Sequence, residues 1–364
     1  MRMLQRFQTG ARVQNPLLPA CGRSAIVESM AHTNSSWKPD VLGEGFRSRT
    51  LDLGTDSEGP VVATLVSYLP PVAPAPVEGR VNALLYVHGW SDYFFQAELA
   101  RFWAAQGVAF YAVDLRKYGR SLRPGQSEGY VDDLSEYDAD LEAALAAVEA
   151  DVQFRYGSGA SPVTSLMAHS TGGLVASLWA HRNPGRIAAL ILNSPWLELS
   201  GSSMLRFATN GLLEPVVRRR PRTRLKIPEF GFYFRSISSA MDGEWDVDPQ
   251  WRPPFSFPVR AGWIKAVLAG HAKVARGLDI RVPILVLASA ASTISPSWNP
   301  LMLRTDSVLD VELMVQRGLL LGPEVTTFRF DGALHDTLLS SLPVRTRVYD
   351  GIRRWAGAFM PGSG

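Results

Sequence analysis

Val163-Thr164-Ser165-Leu166-Met167-Ala168-His169-Ser170-Thr171-Gly172-Gly173 is an apolar run that stops at a histidine–serine pair and passes at once into small residues. Val163–Ala168 reads as a buried strand, and Gly172–Arg182 reads as a helix. Strand, sharp turn and helix in immediate succession form the context in which a serine of the G-x-S-x-G type stands on a strained turn. The chain passes close to itself there, so the positions two before and two after the serine must be small. Ala168 and Gly172 meet that need. The following helix points its N-terminus at the turn and favours negative charge beside it. Ser170 is therefore the candidate nucleophile; without the flanking strand and helix, the same residues would mark only a tight turn.

Working outward, the rhythm of strands and helices continues on both sides. Phe46–Leu53 and Val61–Leu69 read as a hairpin, followed by a proline-rich connector over 70–76. Asn82–Val87 is a short buried strand, Gln96–Gln106 an amphipathic helix ended by Gly107, and Val108–Val113 another apolar strand. Asp132–Val152 reads as a long helix, and Ile187–Asn193 as a strand. The alternation breaks over 197–278, a stretch rich in Arg, Pro and aromatics in which only Val259–Leu278 has helical spacing. Strands resume at Val282–Leu287 and Val325–Phe330, and a last helix runs from Val344 to Phe359. This pattern predicts an α/β fold with a doubly wound, mostly parallel sheet carrying an inserted helical segment. The expected organisation is a flexible extension over 1–40, a core over 41–196, the insertion over 197–278 and the rest of the core over 279–364.

Composition narrows the class. The chain has 364 residues, 46% of them hydrophobic and 20% charged, which suits a packed globular protein. A net charge of +3 is too small to argue for a nucleic-acid partner. The single cysteine, Cys21, excludes an internal disulfide and a cysteine-based zinc site. No run approaches the ~20 apolar residues of a membrane-spanning helix. Residues 1–40 carry no apolar core of the kind a secretion signal needs. The expectation is a soluble, cytoplasmic protein that requires no metal or organic cofactor, with its oligomeric state open.

A serine nucleophile needs a base and an acid, and on this architecture they follow it in the order Ser, Asp or Glu, His. That order removes His32, His88 and His169. His181 lies in the helix behind the turn and His271 within the insertion. His335, in the loop after the last strand, is the candidate general base. The acid is expected after Val282–Leu287, where the first carboxylates are Asp306 and Asp310. Asp306 is the choice and Asp310 its rival, one of the two being expected to cap a helix beginning near Val308. The strand Asn82–Val87 ends in His88-Gly89-Trp90. The backbone N–H groups of Trp90 and Thr171 are the candidate oxyanion donors. Asp114 and Arg116, in the turn after Val108–Val113, read as architectural. The Arg218-Arg219-Arg220 run reads as a solvated face of the insertion.

The ordered set Leu85-Tyr86-Val87-His88-Gly89, Asp114-Leu115-Arg116 with Gly119-Arg120-Ser121, Ala168–Gly173, Asp306–Asp310 and Gly332-Ala333-Leu334-His335 resembles the α/β-hydrolase superfamily. Within it the chain resembles the monoacylglycerol lipase and lysophospholipase branch, whose members are often labelled serine aminopeptidases of the S33 type. Lys117 and Tyr118 stand where that branch commonly has Gly and His, and Ala168 replaces a Gly. The resemblance implies a cap domain over the active site, which the insertion would supply. It also implies hydrolysis of a small-molecule ester with an apolar acyl group, such as an acylglycerol or lysophospholipid, through Ser170, Asp306 and His335. An S33-type aminopeptidase or amidase is the rival enzyme reading. A ligand-binding protein on a non-catalytic hydrolase scaffold is the rival of another class.

Overall fold

A computed structural model describes residues 37–199 and 213–360. Its strands are β1 (Lys38–Pro39), β2 (Phe46–Asp56), β3 (Gly59–Tyr68), β4 (Arg80–Val87), β5 (Ala109–Asp114), β6 (Ser161–His169), β7 (Leu190–Asn193), β8 (Ile284–Ser289) and β9 (Val325–Phe330). They form one sheet in the order β1-β2-β3-β5-β4-β6-β7-β8-β9. The strands from β1 to β3 and the β3–β5 pair are antiparallel, and every pairing from β5 to β9 is parallel. The expected α/β architecture is thus present.

Helices α1 (Ala97–Ala105), α2 (Tyr137–Tyr156), α3 (Thr171–Arg182), α4 (Leu213–Arg219), α5 (Phe232–Ile237), α6 (Ala261–Ala275), α7 (Val311–Gly318) and α8 (Leu342–Phe359) complete the described elements. The two-residue period of the strands sends alternate side chains to opposite faces. Leu84 and Tyr86 of β4 join a core with Trp103 of α1 and Ile352 and Trp355 of α8. Leu85 and Val87 join a second core with Leu141 and Val148 of α2, Trp179 of α3 and Val267 of α6. Both faces are covered, which is why the central strands read as continuous apolar runs.

Some boundaries differ from the sequence expectation for physical reasons. The extension was expected to reach residue 40, but Lys38 and Pro39 pair with Ser48 and Arg47. Asp40 accepts bonds from Nε and Nη2 of Arg120 at 2.7 and 2.8 Å, which anchors that edge strand. Residues 1–36 and 200–212 lie outside the described residues. Helix α2 begins at Tyr137 rather than Asp132, because Asp133 and Glu136 form a capping box around a short 3-10 turn over Leu134–Glu136. Helix α6 is shorter than Val259–Leu278 at both ends, starting after Pro258 and stopping before Gly277.

The sheet order reverses at β4. The chain moves outward to β5 on one side, then returns to place β6 on the other. In open α/β sheets such a reversal opens a crevice at the carboxyl ends of the strands. Here the crevice receives the loop after β4 and the turn after β6.

Candidate active site

Strand β6 ends at His169, and α3 begins at Thr171, leaving Ser170 alone at the turn with φ +50° and ψ −117°. A non-glycine residue held there costs about 1–3 kcal/mol and persists only when its surroundings enforce it. The enforcement is visible. The Ser170 N–H donates to the Asn193 carbonyl at 3.1 Å, and the Ser170 carbonyl accepts from the N–H groups of Gly173 and Trp196 at 2.9 Å each. A methyl group at Gly172 would fall inside the carbonyl oxygen of His88, and one at Gly89 would lie 3.1 Å from Cβ of Ser170. The small residues around Ser170 are therefore required by close passage of the main chain.

The structure brings the three widely spaced candidates together. His335 Nε2 lies 3.0 Å from Ser170 Oγ, and His335 Nδ1 lies 2.9 Å from Asp306 Oδ2. All three side chains are buried, Asp306 completely. Asp306 Oδ1 accepts the N–H groups of Val308 and Leu309 at 2.8 Å each, which fixes the carboxylate's orientation. Asp310 is used differently. Its side chain accepts from Glu312 and Leu313 N–H groups as the N-cap of α7, so the helix begins at Val311 rather than near Val308.

The other described histidines have local duties. His88 Nε2 accepts from the Leu115 N–H at 3.0 Å, so its Nδ1 carries the proton offered to the Gly89 carbonyl. His169 donates from Nδ1 to the Asn193 carbonyl, and burial lowers its pKa, keeping the ring neutral. His181 Nδ1 accepts from the Asp279 N–H, and His271 donates from Nε2 to the Trp196 carbonyl. His32 lies outside the described residues. Asp114 accepts from Arg120 and from the Phe94 N–H, and Arg116 pairs with buried Asp140. Both side chains are engaged by these partners. Arg218, Arg219 and Arg220 are exposed.

Two cavities, of about 350 and 300 Å³, meet at Ser170 and share Trp90. His335, Arg252 and Tyr233 line the larger; Thr171, Trp196, Leu225 and Trp263 line the smaller. The Trp90 ring packs on Trp263 with centroids 3.7 Å apart. Thr171 opens α3, so its N–H has no carbonyl partner in an earlier turn of that helix. Arg252 is nearly buried and pairs with Asp92, with its guanidinium over the Tyr233 ring at 5.2 Å. Tyr233 in turn stands edge-on to His335. Sequence reasoning missed Asp92, Tyr233, Arg252 and Asn193. Asp92 follows the His88-Gly89-Trp90 motif closely enough to have been flagged, whereas Tyr233 and Arg252 sit in a segment without usable periodicity. Among the described residues no group of three His, Cys, Asp or Glu could hold a metal ion. No described helix is long and apolar enough to cross a membrane.

Comparison with known proteins agrees with the fold. The family model described as serine aminopeptidase, S33, matches residues 80–300. No curated protein matches the sequence. Among solved structures, a soluble variant of monoglyceride lipase from Saccharomyces cerevisiae, in complex with a substrate analog, aligns with a TM-score of 0.56 at 16% identity. The alignment covers 86% of this chain and 97% of that one. A monoacylglycerol lipase from Paleococcus ferrophilus aligns with a TM-score of 0.54 at 19% identity, over 76% of this chain and 94% of its own. An open-form lipase aligns with a TM-score of 0.58 at 15% identity, over 86% and 99%. These likenesses speak for the fold, and the family match spans β4 to β8, ending before Asp306 and His335. The chain belongs to the serine aminopeptidase S33 family of hydrolases and has the α/β-hydrolase fold.

Proposed function

We propose that the protein hydrolyses carboxylic esters of small molecules through an acyl-enzyme on Ser170. The observation that carries this reading is the hydrogen-bonded line Ser170 Oγ–His335 Nε2–His335 Nδ1–Asp306 Oδ2, with separations of 3.0 and 2.9 Å. Asp306 keeps the proton on Nδ1, leaving the Nε2 lone pair free to take the Ser170 proton as Oγ attacks the ester carbonyl. The N–H groups of Trp90 and Thr171 stabilise the oxyanion. Protonated His335 then gives its proton to the departing alcohol oxygen. Water, deprotonated by the same nitrogen, releases the acid and restores Ser170. In this reading the insertion over 197–278 acts as a cap over the site, and no metal or organic cofactor takes part.

An apolar acyl group is favoured because Trp196, Leu225, Ile227, Phe257 and Trp263 line the smaller cavity. Two of the fold relatives, a monoglyceride lipase and a monoacylglycerol lipase, point the same way. The family description suggests an aminopeptidase instead, which would need carboxylates grouped to hold a substrate ammonium. Glu229 is the lone carboxylate among the described lining residues of both cavities. Glu214, Asp242 and Glu244 of the insertion are paired with Lys265, Arg235 and Arg345. The test compares a p-nitrophenyl ester with an aminoacyl p-nitroanilide and adds a fluorophosphonate probe. Ester turnover with labelling at Ser170 is expected. Preferential anilide cleavage would favour the peptidase, and failure to label would favour a non-catalytic binding protein.

A further inference from the structure

The Ser170 turn and the His335 loop come from distant parts of the chain, and one buried residue, Asn193, bonds to both. Asn193 ends β7 beside His169 in the parallel pairing of β6 with β7. It is fully buried and lines neither cavity. Its carbonyl oxygen accepts from the Ser170 N–H at 3.1 Å and from His169 Nδ1 at 3.0 Å. Its side chain faces the other way. Nδ2 donates to Asp336 Oδ1 at 2.5 Å, and Oδ1 accepts from the Thr337 N–H at 3.1 Å and from Thr337 Oγ1 at 2.8 Å. The amide has only one workable orientation, because a flip would set its NH₂ against an N–H and its oxygen against a carboxylate.

The residues it grips, Asp336 and Thr337, directly follow His335. Asp336 is held further by the Leu338 N–H at 3.0 Å and, on its other oxygen, by Gln96 Nε2 at 3.4 Å. One residue thus fixes the nucleophile through its main chain and the base-bearing loop through its side chain. We propose that Asn193 is a positioning residue that sets the Ser170–His335 separation, acting through Asp336 and Thr337 without touching substrate. The inference rests on the reading of Ser170 and His335 given above. A misplacement of about 1 Å between reacting groups can cost about 10²-fold in rate, and loosening this tie moves His335 rather than the substrate pocket.

Asn193→Asp is nearly isosteric, but it replaces the donor to Asp336 with a second carboxylate. The expected result is a fall of about 10²-fold in kcat and in the rate of fluorophosphonate labelling, with KM unchanged. Thr337→Val removes only the hydroxyl donor and should show a smaller fall of the same kind; it decides the matter if Asn193→Asp does not fold. Wild-type kcat in folded Asn193→Asp, or in Thr337→Val if the first variant is unfolded, overturns the inference. Absence of fluorophosphonate labelling in the unmodified protein would instead overturn the functional reading itself.

Discussion

Asp306 divides its carboxylate between two duties: Oδ2 lies 2.9 Å from His335 Nδ1, while Oδ1 accepts the Val308 and Leu309 N–H groups. Its turn-capping bonds hold the acid still, and the orientation of His335 follows from that. Asp310, a helical turn later, caps α7 with its side chain.

The two aspartates should therefore separate cleanly on substitution. Asp306→Asn is expected to lower kcat by about 10⁴, the scale for an acid that fixes the working tautomer. Its melting temperature should change little, since the amide oxygen can still cap the turn. Asp310→Asn should leave both kcat and stability near wild type, since the amide oxygen still accepts the Glu312 and Leu313 N–H groups and Asn caps a helix about as well as Asp. Steady-state kinetics with thermal melts on both proteins checks this, and a reversed pattern would reassign the acid.

Ser170→Ala should abolish turnover, with a loss of up to about 10⁶-fold in kcat, because nucleophile and base act as one unit. The same variant should melt no lower than the wild type. Turnover within a hundredfold of wild type in the purified variant would remove Ser170 from the mechanism.

Gly172→Ala tests the close approach behind the turn. The added methyl would meet the His88 carbonyl and the Val87 carbonyl oxygen at 2.9 Å, both main-chain atoms that no side-chain rotation can clear. Overpacking of this kind costs about 1–3 kcal/mol or more. A chemical-denaturation curve with an unshifted midpoint would contradict it.

A buried histidine in α6 predicts a pH effect. Burial pushes the His271 pKa down to about 4, outweighing the help its proton receives from the Trp196 carbonyl. An unfolded histidine titrates near 6.5. On acidification the unfolded chain takes up the proton first, so stability contributed by the neutral ring is intact above about pH 6.5. It is lost progressively down to about pH 4. His271→Gln keeps a donor for the Trp196 carbonyl and cannot titrate. Between pH 7.5 and 5 the wild type should lose about 2 kcal/mol more unfolding free energy than this variant, measured by urea titration. Equal losses would show that the ring titrates normally in the fold.

What the sequence made legible follows from how locally each feature is encoded. The Ser170 turn was readable because the strand, the small residues and the helix are contiguous, and the close contacts at Gly172 and Gly89 explain why they must be small. His335 emerged from chain order together with its place in the loop after the last strand. Asp306 was preferred to Asp310 from sequence although both are carboxylates near a helix start, and the fold puts Asp306 against His335 and Asp310 on the α7 cap. Asn193 was invisible because an asparagine at a strand end looks like any turn-forming residue. Its function lies in contacts to Asp336 and Thr337, far along the chain. The two-residue strand β1 was missed because a pair containing Pro39 carries no alternating pattern. Lys117 stands where a glycine was expected, and the structure holds it at φ +63° with its ammonium paired to Asp56 and Glu58. The ion pairs keep a side chain in place at a backbone conformation that glycine adopts without strain.

Strand β7 ends at Asn193 and β8 begins at Ile284, yet the two lie side by side, Asn193 opposite Leu287. To the sheet, everything from residue 194 to residue 283 is one loop. The entropy of closing a loop rises only with the logarithm of its length, about 0.6 kcal/mol for each doubling. The sheet is therefore nearly indifferent to how long that excursion is. Glu229, Tyr233 and Arg252 all lie within it, whereas Ser170, Asp306 and His335 lie outside. Chain length can therefore drift between Trp196 and α6, where different residues would give the site different walls, while Trp196 and Val267 keep holding the Ser170 turn and covering the sheet.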